Sequence, residues 1–524
     1  MASSKVLLLF ASLFATGAAH GLHARDEYAQ QQVFASYQQQ PLLPHASSGV
    51  EPPPLEVEPL MVYGSSNNRV DMVYFSDGYV QEEKQRFIND AYALALEITG
   101  NQTFNTVKPL LNIWAAFSPS GESGLGQDGV LKDTPFGLYR NGTELRAVYY
   151  GKPEVADAAC KSLGNQCDYP ILLGNSPLYG GLGGRFTVIT NSVANGPLIL
   201  RHELGHSIIP VGEEYDGGFA YFGVNAADDA ESIGWTHWLT NPTARTKQST
   251  ASRNERATTT RIERSVMPMQ TYPWTLLNTT TPWSVTFDSA GTYSKYLVRF
   301  SLSGLPERGD VKVRIDGRDL GWEPKEGIGM DRWHYDFLVG EGLAAGSHEL
   351  VFELVNGERE GAAQLCNAEV IEYGDDGEYS ETNITTYRPT NEDCLMRLVT
   401  ASSFCKVCLE GLWLTLLKDV DLIDGFEESC GAESHALAAE ADHTLTLQLV
   451  PLGQFREADA GIQEAYTISW YRDGEELPNF ANLTTIEVGA GEAYDVEVSF
   501  WTEEVRKDDS GRLKTSASYT TKGC

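Results

Sequence analysis

The chain has 524 residues, eight cysteines and a formal net charge of −33. That length accommodates about two to four domains with proper cores. The acidity excludes a nucleic-acid binder or a protein of anionic membrane surfaces, and no basic run compensates for it locally.

In chain order, residues 1–19 read as a secretory signal: Lys5 supplies the positive charge, Val6 to Phe14 the apolar core, and Gly17 to Ala19 a cleavage region. Residues 20–60, rich in Gln, Pro and Ser, have the composition of a linker or propeptide. Secretion makes an even cysteine count suggest disulfides, with Cys160 and Cys167 closing a small loop. Cys394, Cys405, Cys408 and Cys430 form a second group; structural bridging is expected there in preference to a redox role for the CKVC unit. Sequons at Asn101, Asn141, Asn278, Asn383 and Asn482 fit a glycosylated exterior.

MVYF, within RVDMVYFSDGY, reads as a buried strand. From about Gln81 a helix keeps Phe87, Ala91, Leu94 and Ile98 on one face. LLNIWAAF and YPILL are further central strands, so residues 61–282 form an α/β unit. The glycines of YGGLGGRFTVIT mark either a tight turn or an edge strand that meets a substrate. Residues 283–375 turn to alternating strands, as in KYLVRFSLSG and HELVFELVNG, which predicts an inserted β-sandwich around its own core. On this reading zinc binding and small-peptide cleavage would survive its replacement by a linker. Residues 376–437 return to the first unit, with FCKVCLEGLWLTLLKDV as a buried helix. Residues 438–524 resume the alternation and resemble a small immunoglobulin-like sandwich. No apolar run after the signal reaches membrane-spanning length.

The chemistry concentrates in RHELGHSIIPVGEEYDGG. Asn195 and Pro197 start a helix and Pro210 limits it, so His202 and His206 share one face and can share one ion. Glu203 can reach a water on such an ion and act as general base. The chain lacks a histidine at Gly212, so the third ligand falls to the acidic turn: Glu213 first, with Glu214 and Asp216 behind it.

RVDMVYFSDGY, LNIWAAFSPSGESG, YGGLGG, HELGHS, GEEY and YRPTNEDCLMR follow one another in this order. Together they resemble the IgA peptidase-like family of secreted zinc metalloendopeptidases, over about residues 65–282 and again over about 376–430. The resemblance implies Zn2+ held by His202, His206 and a following acidic residue, with Glu203 catalytic. The family commonly has an Asp-Glu-Tyr run where this chain has Glu213-Glu214-Tyr215, and aligning the tyrosines puts Glu213 at the ligand position. Met396 is then either the methionine beneath the metal or a plain core residue. The immunoglobulin substrate belongs to particular members and does not transfer.

The expected fold is therefore an α/β (α+β) zincin-like metallopeptidase core with an inserted β-sandwich and a C-terminal immunoglobulin-like β-sandwich. The expected activity is that of a secreted zinc endopeptidase acting on protein or peptide. The rival is a secreted, non-catalytic metal-containing protein whose sandwiches bind glycan or cell-wall polymer. A third reading is metal-dependent hydrolysis of a non-peptide bond.

Overall fold

The structure is a computed structural model that describes residues 49–100, 103–214, 222–229, 231–239, 263–375, 387–390, 393–430 and 443–522. The signal reading, most of the 20–60 segment, the sequons at Asn101 and Asn383, and Asp216 lie outside these residues. Asn141, Asn278 and Asn482 are exposed.

The N-terminal region is mixed α/β. Its sheet is built from β1 (Glu56–Val62), β2 (Val70–Asp77), β3 (Leu111–Phe117), β4 (Tyr169–Gly174), β5 (Gly181–Leu182) and β6 (Thr187–Thr190), in the order β1-β3-β2-β4-β6-β5. The four central strands are parallel, and the outer two run antiparallel to their neighbours. β2 is buried along its whole length. Its alternate residues enter different cores: Met72 and Tyr74 pack on one side of the sheet, Val73 and Phe75 on the other. That is why the MVYF run is continuously apolar.

Helices α1 (Lys84–Thr99) and α3 (Gly196–Ile208) pack into the first of these cores, and α2 (Pro153–Ser162) into the second. Gly181 lets β5 come against α3, because a Cβ there would collide with Ile199.

Several antiparallel sheets follow. One has the order β8-β15-β10-β13, with β7 also paired to β15, where β7 is Glu263–Thr271, β8 Thr275–Leu276, β10 Lys295–Ser303, β13 Trp333–Val339 and β15 Gln364–Asp375. The other has the order β9-β14-β11-β12, from β9 (Trp283–Ser289), β11 (Val311–Ile315), β12 (Arg318–Asp319) and β14 (Gly346–Leu354). Phe300, Val313, Phe352 and Val370 belong to one apolar cluster that joins these two sheets. Strands on both sides of residues 282 and 283 contribute to it. The strict alternation of burial along β14 places only every second residue inside.

The FCKVCLEGLWLTLLKDV run forms α4 (Lys406–Asp419), buried through Leu412, Trp413 and Leu416. Beyond it lie a three-stranded sheet beginning at Ile423–Cys430 and a four-stranded sheet. Trp413 meets Phe500 of the latter with ring centroids 5.6 Å apart, so this last region shares a continuous core with the N-terminal one. Among the described residues no helix is long and apolar enough to cross a membrane.

Cys160 and Cys167 are bridged as expected, and Cys430 is also disulfide-bonded. The expected bridging does not extend to Cys394, Cys405 and Cys408, which are buried thiols. Three sulfurs meeting at one point cannot all pair with one another.

Candidate metal centre

Pro197 opens α3 and the helix ends at Ile208, two residues before Pro210, so the helical reading of HELGH holds. Asn195 occupies the cap position but makes no capping bond. Its side-chain amide donates instead to Asp331 and to the carbonyl of Arg332.

One helical turn apart, His202 and His206 bring their Nε2 atoms to 3.3 Å. Glu213 Oε1 lies 3.2 Å from each. Each histidine also sets its Nδ1 against a backbone carbonyl at 3.2 Å: Leu395 for His202, Val211 for His206. A carbonyl can only accept, so Nδ1 carries the proton and both Nε2 lone pairs face the carboxylate oxygen. Three electron-rich atoms at that spacing repel unless a proton or a cation sits among them. Glu213 Oε2 is buried with no hydrogen-bond partner among the described residues, and the set could hold one metal ion. Without an ion a proton fills the gap: burial opposes the charged imidazole, but Glu213 overrides it and lifts His202 to about 9. Burial likewise works to raise Glu213, yet the two histidines hold its carboxyl far below the usual range.

The turn that returns Glu213 to the helix is fixed by Asn225. Its side chain accepts from the Gly212 N–H at 3.1 Å and donates to the Gly212 carbonyl at 3.0 Å. Glu214 points elsewhere: fully buried, its Oε1 lies 3.8 Å from Cys408 Sγ, away from the histidine pair. The acidic turn thus divides, with Glu213 at the histidines and Glu214 among the cysteines. Met396 is fully buried beneath α3, where a Cβ on Gly205 would come within 3.1 Å of its Sδ. Its carbonyl accepts from the Glu214 N–H.

Glu203, half-buried, lines a cavity of about 280 Å³ together with His202, Glu213, Tyr179 and Gly181. Burial pushes its carboxyl above the usual range, with the two histidines opposing. The inserted strands supply much of the same cavity: Arg299, Arg332, His334 and Glu369 line it too. His334 is kept neutral by burial and by Arg332 and Arg299, and its Nε2 has no hydrogen-bond partner among the described residues.

The inserted region is also latched to the α/β unit. Asp331 accepts from the Tyr179 N–H at 2.5 Å, from Ser192 Oγ at 2.6 Å and from Asn195 Nδ2 at 2.9 Å. Arg332 lies over the Tyr179 ring, 4.7 Å from its centroid, and donates to the Leu145 carbonyl. The inserted strands share one apolar cluster with Met269 and Leu277, which precede them in sequence, and they also form part of the cavity wall, so the cavity is built jointly with them. Asp331, Arg332, His334, Asn225 and Leu395 escaped the sequence reading. The only local hint at Asp331 was an acid beside aromatic and basic residues in MDRW.

Asp331→Ala should therefore destabilise the protein by about 2–4 kcal/mol, since it strands several buried donors at once. Denaturant unfolding checks this; an unchanged midpoint would show that the latch is dispensable.

Residues 59–256 match the family model described as IgA Peptidase M64, so the resemblance carried by the motifs holds over that stretch. The family implies a metallopeptidase hydrolase acting on protein, and the matched stretch contains His202, Glu203, His206 and Glu213. No curated protein matches the chain. Among solved structures, a ruminal GH26 endo-beta-1,4-mannanase is 15% identical over 19% of this chain and 20% of its own, with a TM-score of 0.15. FLHE is 18% identical over 21% of this chain and 93% of its own, with a TM-score of 0.14. An exo-beta-1,3-galactanase from Phanerochaete chrysosporium is 15% identical over 21% of this chain and 30% of its own, again with a TM-score of 0.14. This chain thus spans about a fifth of the mannanase it matches, and likenesses this slight carry no argument about fold or activity.

Proposed function

We propose that the chain is a secreted zinc-dependent endopeptidase with a zincin-like core, in which His202, His206 and Glu213 hold the metal and Glu203 is the general base. The observation that carries this reading is the convergence of three ligand atoms at 3.2–3.3 Å from one another. Ligands at about 2.0–2.1 Å around a tetrahedral zinc are separated by roughly 3.3–3.4 Å, so the set fits with little movement. Three protein ligands also leave a fourth position open, as hydrolysis requires.

A zinc ion bound there would polarise the scissile carbonyl and lower the pKa of a water towards about 7. With the metal bound, Glu203 would accept a proton from the attacking water and pass it to the leaving amine. β5, outermost in its sheet, offers backbone groups to an extended substrate strand. His334 and Arg332, both lining the cavity, can orient substrate carbonyls from the inserted region.

Secretion is part of the same proposal; the Cys160–Cys167 disulfide suits an oxidising compartment. So is the division into a two-part catalytic unit, an inserted β-sandwich and a C-terminal immunoglobulin-like sandwich.

A peptide-library digestion before and after chelation tests the activity. Cleavage should disappear with the metal and return with added zinc. Full cleavage by rigorously metal-free protein would overturn the proposal, as would polysaccharide binding with no hydrolysis of any peptide.

A further inference from the structure

Directly behind the histidine site, three cysteines and a glutamate meet in the core. Cys405 is the residue before α4, Cys408 lies in its first turn, and Cys394 comes from the preceding loop. Cys408 Sγ is 3.8 Å from Cys394 Sγ, 3.7 Å from Cys405 Sγ and 3.8 Å from Glu214 Oε1. One ligand atom from each of the four residues falls within 4.8 Å of all the others. All four side chains are buried, Cys394, Cys408 and Glu214 completely.

Neither a disulfide nor a cluster of neutral thiols accounts for this arrangement. A disulfide between any two of the three sulfurs would leave the third thiol and the carboxylate stranded. A cluster of neutral thiols supplies only weak donors to a buried carboxylate. Asn225 donates to Glu214 Oε1 at 2.7 Å, but Oε2 is buried with no hydrogen-bond partner among the described residues. An ion resolves both problems. Thiolates at about 2.3 Å around a tetrahedral zinc stand roughly 3.8 Å apart, which matches the observed sulfur spacing. Helix N-termini favour thiolates, and Cys405 and Cys408 sit at one. Arg397, fully buried next to Met396, places a compensating positive charge close by.

We propose that Cys394, Cys405, Cys408 and Glu214 hold a second metal ion, a closed structural zinc site. Sulfur-rich ligation selects zinc over magnesium or calcium, and four protein ligands leave no open position for catalysis. The site would brace the first one. Glu214 adjoins Glu213, and Cys394 adjoins Leu395, whose carbonyl fixes His202. The proposal goes beyond the peptidase reading and stands whether or not the histidine site cleaves peptides.

Elemental analysis of the full chain should find about two zinc ions, falling to about one in His206→Ala and in Cys408→Ser. Cobalt exchange identifies which site is lost. Thiolate-to-cobalt charge-transfer absorption should persist in His206→Ala and vanish in Cys408→Ser. Should Cys408→Ser not fold, wild-type protein suffices: the cobalt-exchanged form should show the thiolate band, and all three cysteines should alkylate only after denaturation with chelator. Absence of the band, or a disulfide joining any two of the three in non-reducing peptide maps, overturns the second site and leaves the peptidase reading intact. A thiolate band in a chain that cleaves no peptide does the reverse.

Discussion

Glu203→Gln should retain its metal while losing ~10²–10⁴-fold in peptide turnover, the usual cost of removing a positioned general base. The geometry separates this residue from the ligands. Glu203 follows His202 on α3 yet is not one of the three groups that converge, and its carboxylate lines the cavity where a substrate would lie. Glutamine preserves size and hydrogen bonding but cannot accept the proton of the attacking water. Burial already raises the Glu203 carboxyl, bringing it nearer to the proton it must take, while the two histidines pull it back. Metal content measured beside turnover settles the matter: wild-type turnover in Glu203→Gln would dispose of the mechanism, and loss of metal would make Glu203 a ligand.

What could be read in the sequence was whatever depended on neighbours along the chain. The His202–His206 pair follows from the helical repeat, and Glu213 lies only seven residues beyond His206, so a single turn restores it to the same pair of histidines. The MVYF strand and the alternation along β14 were legible because burial on two faces or on one leaves different patterns. Contacts across large separations were not. Leu395 supports His202 from 193 positions away, through a carbonyl that any residue could offer. Asn195 looked like an ordinary helix cap, and only the fold reveals that Asp331 has claimed its side chain. The cysteines misled for a different reason: the oxidising compartment implied by a secretory signal favours disulfides in general, whereas the local geometry gathers an odd number of thiols around a carboxylate.

The adjacent carboxylates Glu213 and Glu214 should behave as opposites. Glu213→Ala removes one of three ligands from the histidine site, so the zinc concentration that restores half of the peptide turnover should rise by more than ~100-fold, beyond what loss of a supporting residue usually costs. Glu214→Ala should leave that concentration within about 10-fold of wild type, because its side chain faces Cys408 and touches neither histidine. Its effect should fall on stability instead, since the change removes the carboxylate from the proposed cysteine site and leaves the Asn225 amide without this acceptor. A solvated acidic turn would treat both substitutions alike, and weakly. If Glu214→Ala raised the zinc requirement while Glu213→Ala left it unchanged, the third ligand would sit one residue further along. The distances to His202 and His206, 3.2 Å in each case, put Glu213 on the histidines' side of the turn.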